Sequence, residues 1–396
     1  MDAAYGIVIV GGGICGLATA LALHRKGIAS IVLEKSETLR ADGAALTVYV
    51  NGWRALEHLG VAAELRKTAH AITSQHIVWE NGNKSTKVPV RKEHRCLKRK
   101  DLIETLAKNI PEGSIRFGCH IIGVHEDPST HGVVLTLVDG STIRTKVLIG
   151  CDGTNSVVAK YLELSPPKTA ALTILRGFTS YQHGQPFGTE FLRLRGDGFF
   201  LGRLPITDNV VHFFVAIPND TIAVSATTNK ESAVKDLALK KLKEFPAEVA
   251  DVVRDSEPGS LNLVTRIWFR PPWQVAFGTF QKGTVTVAGD AMHAMGPFIG
   301  QGGASGLEDA VVLARALSRA AAVKSCGDDE KKMVEVAISE YVRERRPRLV
   351  MLSLECFVME ILSRAKSIVK KLACMAMLFF LGSKSQRHMN YDCGCL

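Results

Sequence analysis

The residues whose types and spacing most clearly indicate a binding site are three glycines near the start of the chain. Gly11, Gly13 and Gly16 form a G-x-G-x-x-G pattern directly after an apolar, β-branched run. In this pattern the first glycine permits a tight turn, the second lets the backbone approach a pyrophosphate, and the third lets a helix pack closely on a strand. The N–H groups at the start of that helix would face the phosphates.

An acidic residue completes the pattern. Glu34 ends the next apolar strand, where a carboxylate can accept hydrogen bonds from an adenosine ribose and would repel a 2′-phosphate. The order strand, turn, helix, strand and acid predicts a dinucleotide site, with a purely structural glycine turn as the alternative. The pattern leaves open whether the ligand is FAD or NAD(P).

Two later strands also end in carboxylates. VLIGCDGTNS (147–156) carries Asp152 and VTVAGD (285–290) carries Asp290, and open α/β sheets bind ligands at the carboxyl ends of their strands. A glycine-rich turn, GPFIGQGG (296–303), follows Asp290 and leads into a helix. Taken alone, the Asp152 stretch is better explained as an ordinary strand that ends in a turn.

The elements that must position these residues belong to an α/β chain. Its 396 residues predict two or three domains, and 46% apolar and 22% charged residues are typical of a globular protein. Alternating patterns predict strands from 116 to 153 and from 171 to 217, with a hairpin turn at Asp139 and Gly140. A helical pattern covers 230–254 and nearly everything after 304.

The net charge of +10 raises the question of an anionic partner. Neither an aromatic-interleaved basic motif nor a zinc-type motif accompanies the charge, so we expect no nucleic-acid binding. The densest basic stretches, RKEHRCLKRK (91–100) and RERRPR (343–348), are typical of solvated faces. The nine cysteines show no C-x-x-C spacing, which predicts reduced thiols and no metal site. The N-terminal sequence enters a strand at once and shows no secretion signal, so we expect a cytoplasmic location.

The apolar run LACMAMLFFLG (372–382) is shorter than the roughly 20 residues needed to cross a bilayer. We expect a C-terminal helix that packs on the body of the protein. A weak contact with a membrane surface, promoted by Lys370 and Lys371, is the alternative. For the oligomeric state we expect a monomer or a dimer.

Together, GGGICG with Glu34, CDGTNS, and GDAMHAMGPFIGQGGASGLEDA resemble the class A flavoprotein monooxygenases, a group that includes 4-hydroxybenzoate and salicylate hydroxylases and zeaxanthin epoxidase. The stretch KGTVTVAGDAMHAMGPFIGQGGASGLEDAVVLARAL and the ending YDCGCL look closest to the plant monooxygenase branch related to salicylate hydroxylase. The similarity covers about 11–348 and the tail. It implies a Rossmann-like FAD-binding domain interleaved with a β-sheet substrate domain, followed by C-terminal helices.

The resemblance also implies domain boundaries and cofactor contacts. The FAD-binding domain would comprise 1–70, 95–165 and 281–325, the substrate domain 71–94 and 166–280, and the helical region 326–396. Bound FAD would contact Gly11, Gly13, Ile14 and Cys15 at the pyrophosphate, Glu34 at the ribose, and Arg99 as a further contact, with Gly16 in the same glycine motif. Asp152 would belong to a motif shared between the FAD and NAD(P)H contacts. Asp290 would meet the ribityl and pyrophosphate part of the cofactor, and Gly300, Gly302 and Gly303, with Pro297 in the same turn, would lie near the flavin ring.

The reaction that the resemblance implies uses NAD(P)H as a transient electron donor and O2 as a co-substrate. A flavin C4a-hydroperoxide would insert one oxygen atom into a small aromatic or terpenoid substrate, so no side chain is assigned as catalytic. A reductase or oxidase on the same scaffold is the first alternative. A flavin-free binding protein related to the GDP-dissociation inhibitors is the second.

Candidates for the substrate wall come from the strand-rich middle of the chain. On a strand, His212 and Phe214 share one face, and we expect that face to meet the substrate. For His212, a structural role within the sheet is the alternative. Arg176 and His183 are candidates for holding a phenolate or a carboxylate, with an ordinary ion pair or solvent exposure as the alternative for each. His293 is interpreted as structural or adjacent to the flavin.

One position departs from the family. Related proteins commonly carry an arginine three residues after the serine of the DG motif, where this chain has Ala159 followed by Lys160. The usual NAD(P)H contact is therefore in doubt, and either Lys160 replaces it or the electron donor differs.

Overall fold

The computed structural model describes most of the chain. The described residues are 3–39, 45–79, 84–127, 132–196, 199–219, 230–257, 259–322, 328–365, 367–381 and 387–396.

The strands fall into two large and two small sheets. In chain order they are β1 Ala3–Val10, β2 Ile31–Leu33, β3 Ala45–Tyr49, β4 His70–Ala71, β5 Ser74–Trp79, β6 Lys84–Pro89, β7 His94–Lys98, β8 Ile115–Arg116, β9 Ile121–Glu126, β10 Val133–Leu137, β11 Thr142–Gly150, β12 Lys168–Ala170, β13 Leu172–Ser180, β14 Glu190–Gly196, β15 Phe199–Pro205, β16 Val210–Pro218, β17 Asn262–Val264, β18 Ile267–Phe269, β19 Gln281–Lys282 and β20 Val285–Val287.

The two longest of the described helices lie in the C-terminal part of the chain. In chain order the helices are α1 Ile14–Arg25, α2 Val50–His58, α3 Ala62–Leu65, α4 Arg99–Lys108, α5 Val157–Tyr161, α6 Lys230–Lys241, α7 Ala247–Arg254, α8 Pro272–Phe277, α9 Asp290–His293, α10 Gly302–Ala322, α11 Asp328–Arg364 and α12 Ile368–Phe380, with 3-10 turns at Leu242–Glu244, Pro297–Ile299 and Arg387–Asn390.

The first large sheet has a parallel centre. Its main order is β19-β20-β11-β1-β2-β8, in which β1 lies parallel to both β2 and β11, and β11 lies parallel to β20. Strand β1 ends in three buried residues, Val8, Ile9 and Val10, because helices and strands cover it from both faces. The carboxyl ends of β1, β11 and β20 therefore meet at one edge, and each leads to a glycine or carboxylate singled out above.

The second large sheet is mostly antiparallel, with the order β17-β13-β16-β15-β14-β5-β6. One face packs on α6 and α7 through a core that includes Leu175, Phe213 and Val215. The other face remains available for a site. Two small sheets, β12-β18 and β3-β7-β4, complete the strands described.

The architecture confirms the predicted α/β class, with a parallel sheet, a second β-sheet and C-terminal helices. The predicted domain boundaries stay a prediction. Helix α10 packs between α1 and α11, and α12 packs on α11. Among the helices described, none combines the length and apolar character that a membrane span requires.

Candidate active site

A cavity of about 630 Å³ lies where the carboxyl edge of the first sheet meets the free face of the second. Most of the predicted site residues line it. From the cofactor group these are Gly11, Gly13, Ile14, Cys15, Glu34, Arg99, Asp152, Asp290, Pro297, Gly300, Gly302 and Gly303, and from the substrate group Arg176, His212 and Phe214.

The turn after β1 is built on close backbone contacts. Gly11 has a φ of +105°, and a Cβ there would lie 2.4 Å from the carbonyl oxygen of Cys151. A Cβ at Gly16 would lie 1.9 Å from the carbonyl oxygen of Gly11, so Gly16 packs the helix on the turn and does not line the cavity. A Cβ at Gly13 would meet no protein atom within 4 Å. Gly13 thus borders open space at the N-terminus of α1, where an anion is favoured.

Glu34 links this turn to the end of β2. Its side chain is buried, and Oε2 accepts a hydrogen bond from the Gly12 N–H at 2.7 Å. Oε1 accepts one from the Ser36 N–H at 3.0 Å. These bonds fix the carboxylate at the cavity wall, where its oxygens can also accept hydrogen bonds from the hydroxyl groups of a ribose.

Asp152 follows β11 and caps α5. Its Oδ2 accepts a hydrogen bond from the Val157 N–H at 2.7 Å, while Oδ1 is buried with no hydrogen-bond partner among the described residues. Burial raises the pKa of this carboxyl, and the hydrogen bonds from Ser156 and the backbone oppose that rise. A buried acceptor without a partner is costly unless a ligand or water supplies the donor.

Asp290 begins α9 beside Gly289, whose φ is +61°. The Asp290 side chain is exposed to the cavity while protein atoms surround it on the other sides, and this desolvation raises the pKa of its carboxyl. A carboxylate here would repel phosphate oxygens, so hydroxyl groups are its natural partners.

The second glycine-rich turn points a long helix at the cavity. Pro297 begins the 3-10 turn. Gly300, which follows it, has a φ of +64°, and a Cβ there would lie 3.2 Å from Oγ1 of Thr47. Gly302 begins the 21-residue helix α10. A Cβ at Gly303 would meet nothing within 4 Å, so the first turn of α10 opens onto the cavity. Its free N–H groups and positive dipole end favour negative charge there.

Behind this turn lies a buried ion-pair network that the sequence analysis did not identify. Oδ2 of Asp309 accepts a hydrogen bond from the Gly289 N–H at 2.9 Å and lies 2.5 Å from Nε2 of His293. Oδ1 of Asp309 accepts from Nε of Arg345 at 2.7 Å, and Arg345 also pairs with Glu308 at 2.7 Å. The network joins the Asp290 loop, α10 and α11, and the buried position of His293 fits its structural interpretation.

The prediction that the two basic stretches are solvated faces is wrong in part. Arg345, inside RERRPR, has no exposed surface, because Glu308 and Asp309 on α10 face it. In the other stretch, His94 and Cys96 are buried on β7. The acids that pair with Arg345 lie 36 and 37 residues away in sequence, so local charge density gave no signal for this pairing.

Four strands build the opposite wall of the cavity. Arg176 on β13 pairs in register with Phe214 on β16, Phe214 with Gly202 on β15, and Gly202 with Arg193 on β14. Gly202 leaves room for the aromatic ring, since a Cβ there would lie 2.2 Å from Cζ of Phe214. Two arginines therefore flank one phenylalanine across a single row of the sheet. Arg193 is a residue that the sequence analysis missed, because strand register cannot be read from one strand.

His212 and Phe214 lie on the cavity face, whereas Phe213 lies in the opposite core. Nδ1 of His212 lies 3.0 Å from the carbonyl oxygen of Gly177, and burial lowers the pKa of His212 to about 4. The imidazole is therefore neutral near pH 7. It is positioned by the backbone of β13.

The structure does not bring His183 to the cavity. His183 is exposed in the turn that follows β13, and it is absent from the cavity wall. Because β13 ends at Ser180, the chain has left the sheet before His183 is reached. The expectation that it holds a substrate phenolate or carboxylate is corrected accordingly.

The cavity fits a flavin dinucleotide. Two helix N-termini open onto it, and the carboxylates of Glu34 and Asp290 can accept hydrogen bonds from the hydroxyl groups of the cofactor. The buried Oδ1 of Asp152 has no hydrogen-bond donor among the described residues. A volume of about 630 Å³ is in the range of ligand sites in proteins.

Comparison with known proteins supports this fit. The family model described as FAD binding domain matches residues 4–349. Monooxygenase 1 of Arabidopsis thaliana is 44% identical over 99% of both chains, and Monooxygenase 2 of the same plant is 37% identical over 98% of both. The crystal structure of Klebsiella pneumoniae HpxO complexed with FAD and uric acid is similar with a TM-score of 0.78 and 21% identity, covering 98% of this chain and 96% of that one. The chain therefore belongs to the FAD-dependent monooxygenases of the class A type.

Proposed function

We propose that the chain is an NAD(P)H- and O2-dependent monooxygenase that inserts one oxygen atom into a small, planar aromatic substrate carrying an anionic group. The observation that carries this proposal is the row Arg176, Phe214, Gly202, Arg193 on the wall opposite Gly302 and Gly303. The row combines two cations with an aromatic surface.

The charge of the row favours an anion. Nε of Arg176 donates to Oδ1 of Asn262 at 3.1 Å, and NH2 of Arg193 donates to the Tyr49 hydroxyl at 3.3 Å. Within the described residues, neither guanidinium has a carboxylate at ion-pair distance. Burial, and then the charge of Arg99, lowers the pKa of Arg176, which means that its charged form is disfavoured. A bound carboxylate or phenolate would stabilise that charge.

The shape of this end favours an aromatic ring. Phe200, Phe214 and Phe298 line the cavity together with Ile174, and the rings of Phe200 and Phe214 lie 5.6 Å apart. Flat apolar walls bind planar rings, and the arginines would fix which edge faces the reacting end. A terpenoid substrate would leave both guanidinium groups without an anionic partner.

When bound, FAD would accept electrons from NAD(P)H and deliver an oxygen atom from O2 to the substrate. The chain's residues would do the rest. The N-terminus of α10, with Gly302 and Gly303, would stabilise negative charge on a bound flavin. The phenylalanine walls exclude water, and the two arginines orient the substrate.

The test is a screen of purified holoprotein with aromatic acids, phenols, indoles and terpenoids for substrate-stimulated NADPH consumption, with products measured by mass spectrometry under labelled O2. We expect aromatic acids to stimulate consumption most and one labelled oxygen atom to appear in the product. A product without the label would instead indicate a reductase or an oxidase. Stimulation by neutral terpenoids alone would overturn the substrate class.

The electron donor needs its own test, because Ala159 replaces the family's arginine. Ala159 is 3% exposed and donates its N–H to Oγ of Ser156 at 2.8 Å, so this position offers no surface to a nicotinamide nucleotide. Lys160 is exposed one residue later on α5. We expect stopped-flow mixing with NADPH and NADH to show flavin reduction by at least one of them. Failure of both would contradict the NAD(P)H-dependent proposal.

A further inference from the structure

Helix α12 carries an apolar face that the described part of the chain leaves uncovered. Of its 13 residues, Cys374 and Leu378 are buried against Leu354, Val358 and neighbouring residues of α11. Most large apolar side chains point away from the protein, up to Phe380 with 85% of its side chain exposed. The exposed face is formed by Ile368, Val369, Leu372, Met375, Phe379 and Phe380.

Two lysines lie on the side of α12 away from this apolar face. At about 100° per residue, the six side chains of the face fall on one side of α12, and Met377 is the exposed large apolar residue of the helix outside that side. Lys371 lies roughly 100° and Lys370 roughly 160° from the centre of the apolar face. Lys370 is exposed and Lys371 is half-buried. A helix lying in the plane of a bilayer needs this arrangement, because the lysine stems can reach up to the headgroups while the apolar face is inserted.

The surrounding sequence is strongly cationic. Residues 361–391 contain six lysines and arginines and no aspartate or glutamate, in a chain whose net charge is +10. Each such cation near an anionic leaflet contributes about 1 kcal/mol of attraction. The charge of the segment therefore complements anionic phospholipids.

A second copy of the chain fits this face less well. A 13-residue helix presents a strip about 20 Å long and 10 Å wide. Even doubled to allow for side-chain relief, the roughly 400 Å² is well below the about 800 Å² per partner of a stable interface.

We propose that α12 docks the protein on anionic phospholipid bilayers, with Leu372, Phe379 and Phe380 inserted at the interface and Lys370 and Lys371 at the level of the headgroups. The helix lies along the surface and does not cross the bilayer. This docking is independent of the substrate that the cavity accepts.

The test is flotation of full-length, FAD-loaded protein with vesicles of phosphatidylcholine alone or mixed with phosphatidylserine. We expect binding to the mixed vesicles that weakens as salt is raised. The double variant Phe379→Ser/Phe380→Ser should bind at least about tenfold more weakly, because two exposed aromatic anchors are lost. Lys370→Glu/Lys371→Glu should lose the preference for phosphatidylserine.

The matched control is Ile122→Ser/Val138→Ser, which changes two exposed apolar residues far from α12 in sequence. It should bind vesicles as the unmodified protein does. All variants should retain their flavin and their NADPH consumption, which shows that they are folded, because α12 does not line the cavity.

Three outcomes would overturn the proposal. The unmodified protein could fail to float with phosphatidylserine vesicles, or the α12 variants could float as well as it does. Light scattering without lipid could also show a dimer that Phe379→Ser/Phe380→Ser converts to a monomer, which would assign the face to a second copy of the chain.

Discussion

The Nε2 atom of His293 lies 2.5 Å from Oδ2 of Asp309, and neither side chain has any exposed surface. The same carboxylate accepts the Gly289 N–H and the Arg345 guanidinium. Burial alone would raise the pKa of Asp309, but the charges of His293 and Arg345 outweigh it and hold the pKa well below its usual value. A charged Asp309 therefore ties the strand end that carries Asp290 to two helices.

Asp309→Asn should destabilise the protein by about 3 kcal/mol or more, because it leaves buried cations with one carboxylate fewer. The Asp290 loop should also loosen and release FAD more readily. Urea unfolding at pH 7 and flavin fluorescence during dilution measure the two effects. Since the folded pKa is depressed, the contribution of Asp309 is fully present above about pH 4 and is lost as the pH falls further, so the two proteins should converge in stability in strong acid.

The control for this prediction is Glu340→Gln. Glu340 pairs with Arg319 at 3.9 Å on the surface, where an ion pair contributes about 1 kcal/mol or less. If Asp309→Asn were as mild as this control, the buried network would not hold the loop.

Gly13→Ala and Gly16→Ala should separate cofactor binding from folding. A methyl group at Gly13 meets no protein atom but enters the space beside the N-terminus of α1, so we expect normal unfolding of the apoprotein and FAD binding weakened at least about tenfold. A methyl group at Gly16 would lie 1.9 Å from the Gly11 carbonyl oxygen and should prevent stable folding. Gly6→Ala, in open space on β1, is the control. Calorimetry of the apoproteins measures folding, and titration with FAD measures cofactor binding. If Gly13→Ala bound FAD with full affinity, the pyrophosphate would lie elsewhere.

The turn at Gly11 could be predicted because its signal is local. The steric need for glycine, the helix start and the acid at Glu34 all lie in one strand–helix–strand unit, where sequence spacing determines spatial spacing. The cavity position of Asp152 and Asp290 follows from the same rule, since parallel strands end at one edge.

The row of arginines could not be predicted in this way. Arg176 and Arg193 lie in the same row as Phe214 only through the register of four strands, and a slip of one residue would turn either side chain to the other face. Arg345 shows the same limit for helices, because its burial depends on which face of α10 it meets. For His183, the structure agrees with the alternative of solvent exposure, because β13 ends three residues earlier at a point that is not marked in the sequence.

Gly202→Ala should disturb the substrate wall through Phe214. The new methyl group would lie 2.2 Å from Cζ of Phe214, so the ring must move into the cavity. We expect the KM for the substrate to rise about tenfold, with FAD content unchanged. Adding Phe214→Leu should restore much of the lost affinity, because it removes the clashing atoms. Gly123→Ala, where the new Cβ meets Thr136 only at an ordinary 3.7 Å, is the control. Additive effects of Gly202→Ala and Phe214→Leu in steady-state kinetics would contradict this explanation.

Lys160→Ala should raise the KM for the nicotinamide nucleotide roughly two- to fivefold, the size expected for one exposed charge contact. The maximal rate of flavin reduction should not change, and Lys160→Arg should retain the original KM. Lys67→Ala, at another exposed lysine, serves as the control in stopped-flow reduction. Equal KM values for Lys160→Ala and the control would exclude Lys160 as the replacement for the family's arginine.

His94 should make the protein sensitive to mild acid. Its ring stacks on Tyr49 with 4.1 Å between centroids, both of its nitrogens lack a hydrogen-bond partner among the described residues, and burial, followed by the charge of Arg193, lowers the pKa to about 3. The unfolded chain takes up this proton near pH 6.5, so the stability is complete above that pH and falls as the pH drops toward 3. At pH 5 the loss is about 2 kcal/mol.

His94→Phe keeps the stacking on Tyr49 and removes the titration, so its stability should decline less between pH 7 and pH 5 than that of the unmodified protein. His212, with its pKa lowered to about 4, leaves a similar decline in both proteins. Thermal unfolding across this pH range, with His125→Phe at an exposed position as the control, measures the difference. Parallel pH profiles for His94→Phe and the unmodified protein would mean that His94 is protonated in the folded state, and the Tyr49 wall of the cavity would then carry a positive charge.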